Sequence, residues 1–229
     1  MAEWNKTQRV IARVYERLIY EGTQYYYLDS KGRKLPIICR GSKIDGGVDI
    51  GQHKRETIKV DSEIDVQIKE LYGKVKNNVE NLKKTENIVK GGENSLEERI
   101  LKLVYDTADN AMPIKDNNEI EKIINNYGVQ NDGMIALGVF LGYGAGVCRH
   151  LALTCGVLLE LLIKDGFLDG HVSRDRNYIR NSGGHAWCRY TNSRGETYVL
   201  DVAQGFFGKL KDAKNWDYRR PEDLRVKSG

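Results

Sequence analysis

The chain has 229 residues, 40% hydrophobic and 30% charged, which supports one sizeable core with at most a small appendage. Its formal net charge of +4 comes from lysines interspersed with glutamates, so it lacks the clustered basic patch that nucleic-acid binding requires. The opening Met-Ala-Glu-Trp-Asn-Lys has no apolar signal-peptide core and no apolar run is long enough to span a bilayer, so a cytoplasmic protein with neither nucleic acid nor membrane as partner is expected.

Residues 1–92 read as an N-terminal accessory region. Val10, Ile11, Val14, Leu18 and Ile19 recur at helical spacing and predict a short helix. Tyr25-Tyr-Tyr-Leu28 and Leu35-Pro-Ile-Ile-Cys39 flank the turn residues Asp29-Ser-Lys-Gly32 and predict a hairpin. Gly41 to Gln52 reads as glycine-rich loop. A long polar helix then runs to Lys90, its mixed charges marking a solvated face. Gly91-Gly92 breaks the pattern and residues 93–229 read as a second unit. It opens on the capping box Ser95-Leu-Glu-Glu98, followed by a helix to about Asn110 that turns Ile100, Leu101, Leu103 and Val104 inward.

Leu141-Gly-Tyr-Gly-Ala-Gly146 is the next loop, and the helix after it, Val147 to Lys164, is apolar nearly all round, the pattern of a central buried helix. Cys148 lies in its first turn, where unpaired N–H groups and the helix dipole favour a thiolate and can donate to a developing oxyanion. Cys155, two turns on, reads as a small core residue. Seven residues of helix separate the two by about 10 Å, too far for a disulfide, which needs Cα atoms within roughly 7 Å. Asp165 to Gly183 is rich in Gly, Asp, Arg and Asn and reads as a loop bordering a cleft, where Arg174, Arg176 and Arg180 either grip a polar substrate or are simply solvated.

His185-Ala-Trp-Cys-Arg-Tyr190 and Glu196-Thr-Tyr-Val-Leu-Asp201 are strand-forming runs about a turn. A three-residue turn at 192–194 pairs Thr191 with Gly195. Six residues further, His185 then faces Asp201, with Cβ atoms about 5 Å apart. A thiol, an imidazole and a carboxylate thus follow one another 37 and then 16 residues apart, the ingredients of a nucleophile, a general base and an orienter. Tyr143 and Trp187 are candidate walls of a substrate cleft, with packing as the competing role for Trp187. Ala203 to Phe207 and Tyr218-Arg-Arg-Pro221 are expected to close the side of that cleft.

Gly146-Val-Cys148, His185-Ala-Trp187 and Val199-Leu-Asp201 together resemble the transglutaminase-like superfamily of papain-related folds. There a G-x-C opens the central helix, H-A-W starts a strand and an aspartate ends the next. The resemblance covers roughly residues 95–217. It implies an α+β, papain-like core in which a Cys-bearing helix packs on an antiparallel sheet. It further implies Cys148 as nucleophile, His185 as general base and Asp201 as orienter, with no cofactor and a peptide or protein as substrate. Arg149-His150 departs from the small or acidic residues that follow the cysteine in many members, so no subfamily substrate carries over. Proteolysis, deamidation and transamidation all stay open, as does a protein-binding module whose thiol is silent.

Metal binding is the competing chemistry. Cys148, His150, Cys155, His185 and Cys188 are suitable ligand types. On a strand, however, His185 and Cys188 point to opposite faces, and there is no C-x-x-C pair, so no metal site is expected. Gly142, Gly144 and Gly146 lack the Lys-Ser/Thr of a phosphate loop. His53 and His171 read as solvated. Four scattered cysteines fit a reducing compartment.

Overall fold

The computed structural model describes residues 2–4, 18–21, 24–29, 31–50, 57–86, 95–128 and 134–227, and within them the chain is mixed α and β, with three sheets. The first sheet is antiparallel: β1 (Leu18–Glu21), β2 (Gln24–Leu28) and β3 (Lys34–Pro36). The hairpin expected across Asp29 to Gly32 is β2–β3. Asp29 fastens its turn by accepting the backbone N–H groups of Lys31 and Arg33 at 3.0 and 2.8 Å. The helix expected over Val10 to Ile19 is corrected at its end. Leu18 and Ile19 are in β1, paired with Tyr27 and Tyr26, and residues 10–17 lie outside the described residues. Aromatic and β-branched partners across a ladder outweigh a short helical spacing there.

β4 (Val48–Ile50) and β5 (Thr57–Lys59) pair antiparallel, and β6 (Met134–Ala136) joins β5 in parallel. The glycine-rich loop expected from Gly41 to Gln52 therefore contains a buried strand. Its pattern is masked by Asp49, which is fully buried and ion-paired with Arg174.

Helix α1 (Val66–Glu86) is polar by composition but buries Ile68, Val75 and Val79 along one stripe; residues 87–90 lie outside the described set. Helix α2 (Leu96–Ala111) is capped as expected, the Ser95 side chain accepting the Glu98 N–H at 3.2 Å. It buries Ile100, Leu101, Val104, Tyr105 and Ala108, with Leu103 only partly covered. Helix α3 (Asn117–Gly128) and the short α4 (Leu137–Tyr143) lead to α5 (Cys148–Lys164).

The third sheet is antiparallel, in the order β10 (Phe206–Lys209), β9 (Thr197–Asp201), β8 (Gly183–Thr191), β7 (His171–Ile179). The polar cleft loop expected from Asp165 to Gly183 is thus largely strand β7. Its polar side chains are buried because each finds a partner. Arg174 donates to the Ile38 carbonyl at 2.7 Å and pairs with Asp49, Arg176 donates to the Ile50 carbonyl at 2.9 Å, and Arg220 grips Asp175 through two bonds of 2.7 and 2.5 Å. Arg174 and Arg176 tie β7 to the neighbouring segments and do not face a cleft; Arg180 alone of the three is exposed, in the β7–β8 turn.

Helix α5 packs against β7, β8 and β9 and against α1 and α2. One apolar core surrounds it. Ile38, Ile44, Ile58 and Val60 from before the Gly91-Gly92 break share that core with Leu153, Leu158 and Tyr190 from after it. Glu160 of α5 binds the earlier segment directly, accepting the N–H groups of Ile44 and Asp45 at 2.8 and 2.7 Å. Among the described residues no helix is long and apolar enough to cross a membrane.

Candidate active site

The approach to Cys148 is shaped by glycines at two positions. Gly144 ends α4 in the left-handed region at φ +57°. Gly146 runs beside Ile114, its carbonyl accepting the Lys115 N–H at 3.1 Å, so tightly that an added Cβ would stand 2.1 Å from the Met112 sulfur. The chain then passes through extended Val147 into α5, whose first residue is Cys148. Val147 has no side chain to cap the helix. His150 does this instead, its Nδ1 accepting the Val147 N–H at 3.1 Å while its ring lies 4.0 Å from that of Phe140. Complete burial, with the Arg149 charge nearby, holds His150 well below the usual imidazole range. It is a neutral cap, a role that spacing alone did not reveal.

His185 stands on β8, 7% exposed, and its Nε2 is 2.5 Å from Oδ2 of Asp201 at the end of β9. The Cys148 thiol lies near enough to the ring to act on its charge. With Nε2 engaged by the carboxylate, Nδ1 is the ring nitrogen left to serve a thiol. Burial opposes charge on this ring, but the Asp201 bond and the charges of Asp201 and Cys148 outweigh it and raise the pKa to about 9. The carboxylate is itself held in place: Oδ1 accepts the Gln204 N–H at 3.1 Å and Oδ2 the Tyr218 hydroxyl at 2.7 Å. The Trp216 ring meets His185 edge-on at 5.0 Å.

The strand register differs from expectation. Thr191 faces Thr197, not Gly195, because the loop is Ser193 to Gly195, closed by Asn192 and Glu196. Gly195, at φ +81°, fills the left-handed last position that such a three-residue loop requires. Moving the loop by one residue moves the pairing by two, so the side chains keep their faces. His185 and Asp201 remain on one side of the sheet and meet diagonally.

The other cysteines differ from Cys148. Burial pushes the thiols of Cys155 and Cys188 up, both at 0% exposure, and Cys39 is raised for the same reason. Cys148 is only partly buried. Of the two cleft-wall candidates, Trp187 is 1% exposed, packed edge-on against Trp4 and Tyr218, and offers no open wall. Tyr143 is half exposed at the end of α4. With Tyr127, Ile64, Val66 and Lys59 it lines a cavity of about 530 Å³ whose lining includes none of Cys148, His185 and Asp201. Among the described residues no group of three or more His, Cys, Asp or Glu side chains converges as a metal-binding set.

From sequence, Tyr218 is expected only within a segment closing the side of the cleft, and Trp216 is not singled out; both reach the site from beyond β10, where no local motif marks them. Comparisons with protein-family models, with curated proteins and with solved structures found no match.

Proposed function

We propose that this chain is a thiol-dependent acyl-transfer enzyme acting on amide bonds of peptides or proteins, with a transglutaminase-like catalytic core. The observation that carries the reading is His185, held at 2.5 Å by Asp201 and influenced by the Cys148 thiol at the first residue of a buried helix. With its pKa raised to about 9, the imidazole is charged at neutral pH and has a proton to give to a leaving nitrogen.

In the proposed reaction the Cys148 thiolate attacks the amide carbonyl carbon and the C=O electron pair moves onto oxygen. The Cys148 N–H, in a first turn without intrahelical acceptors, stabilises that oxyanion. His185 gives its proton to the leaving nitrogen as the C–N bond breaks, leaving a thioester. Water or an amine then attacks the thioester, His185 takes the proton, and the thiolate departs. Asp201 keeps the ring in one tautomer and orientation throughout.

The test offers glutamine-containing peptides with and without a primary amine, read by mass spectrometry for cleavage, a deamidation shift or an amine adduct. Cys148→Ala is expected to abolish turnover with a thermal midpoint near wild type, since a helical first turn accepts alanine. Wild-type turnover in that variant would remove covalent catalysis. No conversion of any substrate, with partner binding unaffected by Cys148→Ala, would favour a protein-binding module instead.

A further inference from the structure

We infer that Tyr218 is a positioning residue for this site: its hydroxyl shares one oxygen of Asp201 with His185 and so sets how much carboxylate charge the imidazole receives. Tyr218 acts within the Cys148–His185–Asp201 reading above, but its effect on His185 is measurable whether or not any amide is turned over.

The geometry is that of two donors on one acceptor. The Tyr218 hydroxyl lies 2.7 Å and His185 Nε2 2.5 Å from the same Oδ2. The phenol ring is 1% exposed, edge-on to Trp187 at 5.0 Å and stacked on Phe206 at 5.7 Å, so it has one seat and no exposed face on which substrate would bind. Burial and the Asp201 charge push its ionisation up, which keeps it a neutral donor.

The segment that delivers Tyr218 is fastened to the strands on which His185 sits and pairs. Asn177, directly opposite His185 in the β7–β8 ladder, accepts from Trp216 Nε1 and donates to the Asp217 carbonyl, both at 2.6 Å. Arg220 grips Asp175 on β7, and Arg189 on β8 grips Asp223 through bonds of 2.8 and 2.7 Å. Seven hydrogen bonds, counting that of Tyr218 itself, thus hold residues 216–223 against the dyad. Packing alone does not require the hydroxyl, since Phe fills the same space; its bond to the carboxylate is what distinguishes tyrosine here.

The chemical consequence has a sign. A donor on a carboxylate stabilises its charge and lowers its basicity. Removing the hydroxyl leaves more charge for the imidazolium, so His185 holds its proton more tightly and gives it up less readily to a leaving amine. The titratable groups facing the ring are Cys148 on α5, Asp201 on β9 and Tyr218. Tyr105 on α2 and Cys155 on α5 face Asp201, and burial raises both, keeping them uncharged at neutral pH. Asn177 on β7 and the Trp187 and Trp216 rings complete the surroundings without titrating.

The experiment follows the His185 ring by NMR across pH in the full-length protein. It compares wild type, Tyr218→Phe, and a protein carrying 3-fluorotyrosine site-specifically at 218, a closely similar shape with a stronger donor. Phe is expected to move the His185 titration up by on the order of half a pH unit, and fluorotyrosine to move it down. Should Tyr218→Phe fail to fold, the fluorotyrosine protein decides alone. Titration at the wild-type position in the folded variants, or displacement of both in one direction as a packing change would give, overturns the assignment of Tyr218. Repeating the comparison in Cys148→Ala separates the two readings. Opposite displacements without turnover in the native protein leave Tyr218 in place and remove the catalytic role. An unmoved titration in an enzyme that does turn over removes Tyr218 alone.

Discussion

His185 and Asp201 meet diagonally across two strands, not face to face. The ladder pairs Cys188 with Leu200, so its next step sets Asp201 opposite Trp187, with His185 two residues beyond on the same face. The 2.5 Å bond between them is the largest of the interactions that raise the His185 pKa against the opposing effect of burial. The folded protein holds the His185 proton more tightly than the unfolded chain does, with a pKa of about 9 against an ordinary value of 6.5. The associated stabilisation is complete below about 6.5 and is lost as pH rises through about 9, with an upper limit of roughly 3 kcal/mol. Asp201→Asn is expected to lower the His185 titration and flatten the thermal midpoint across that window. A wild-type dependence of the midpoint on pH in Asp201→Asn would show that the bond does not control it.

Thiol reactivity is expected to be selective. Cys148 is partly open beside an imidazole, whereas Cys155 and Cys188 are fully buried with thiols pushed up by desolvation. Mass-mapped iodoacetamide labelling at pH 7 is expected to modify Cys148 first and to spare Cys155 and Cys188 until the protein unfolds. Labelling of Cys148 only after unfolding would contradict the thiolate reading.

Gly138 and Asp65 are expected to behave as one unit. The Asp65 carboxylate accepts the Gly138 N–H of α4 at 2.8 Å and the Gln67 and Ile68 N–H groups of α1 at 3.1 and 3.3 Å. A Cβ on Gly138 would stand 1.9 Å from Asp65 Oδ1. Gly138→Ala is expected to cost roughly 2–4 kcal/mol in urea unfolding, from the displaced cap and the amide it leaves unpaired. Combined with Asp65→Ala the losses should fall short of additive.

The Arg174–Asp49 pair gives a different signature. Both side chains are buried, so Arg174→Met strands the Asp49 charge in the core and is expected to cost about 3–5 kcal/mol. Replacing both, as Asp49→Leu with Arg174→Met, should recover most of that loss. A double variant no more stable than Arg174→Met would mean the pair contributes more than mutual neutralisation.

What sequence reading could reach follows from the range of the interactions involved. The helix after Cys148 was legible because an all-round apolar run has few other uses, and the Ser95 cap because its signal is local. The faces of β8 and β9 survived a misplaced turn because parity depends only on an even offset. Gly195 carried the correcting signal, since a left-handed residue belongs inside the loop. Strand β7 was illegible for the opposite reason: Arg174, Asp175 and Asn177 look solvated until Asp49, Arg220 and Trp216 arrive from distant parts of the chain. Three-residue strands such as β4 and β6 are too short for any period to show. Tyr218 had no local signature, because its importance lies wholly in the oxygen it reaches.

Helix α5 buries 12 of its 17 residues between the large sheet and helices α1, α2 and α4, whereas residues 216–223 are fastened to β7, β8 and Asp201 by side-chain bonds. The two halves of the site therefore have different routes to opening. Amide hydrogens in the middle of α5 have no local fluctuation that exposes them and should exchange only through global unfolding, while those of the 216–223 segment are released whenever it lifts. Warmed gradually, the protein should lose the proper setting of His185 before it loses the helix that seats Cys148.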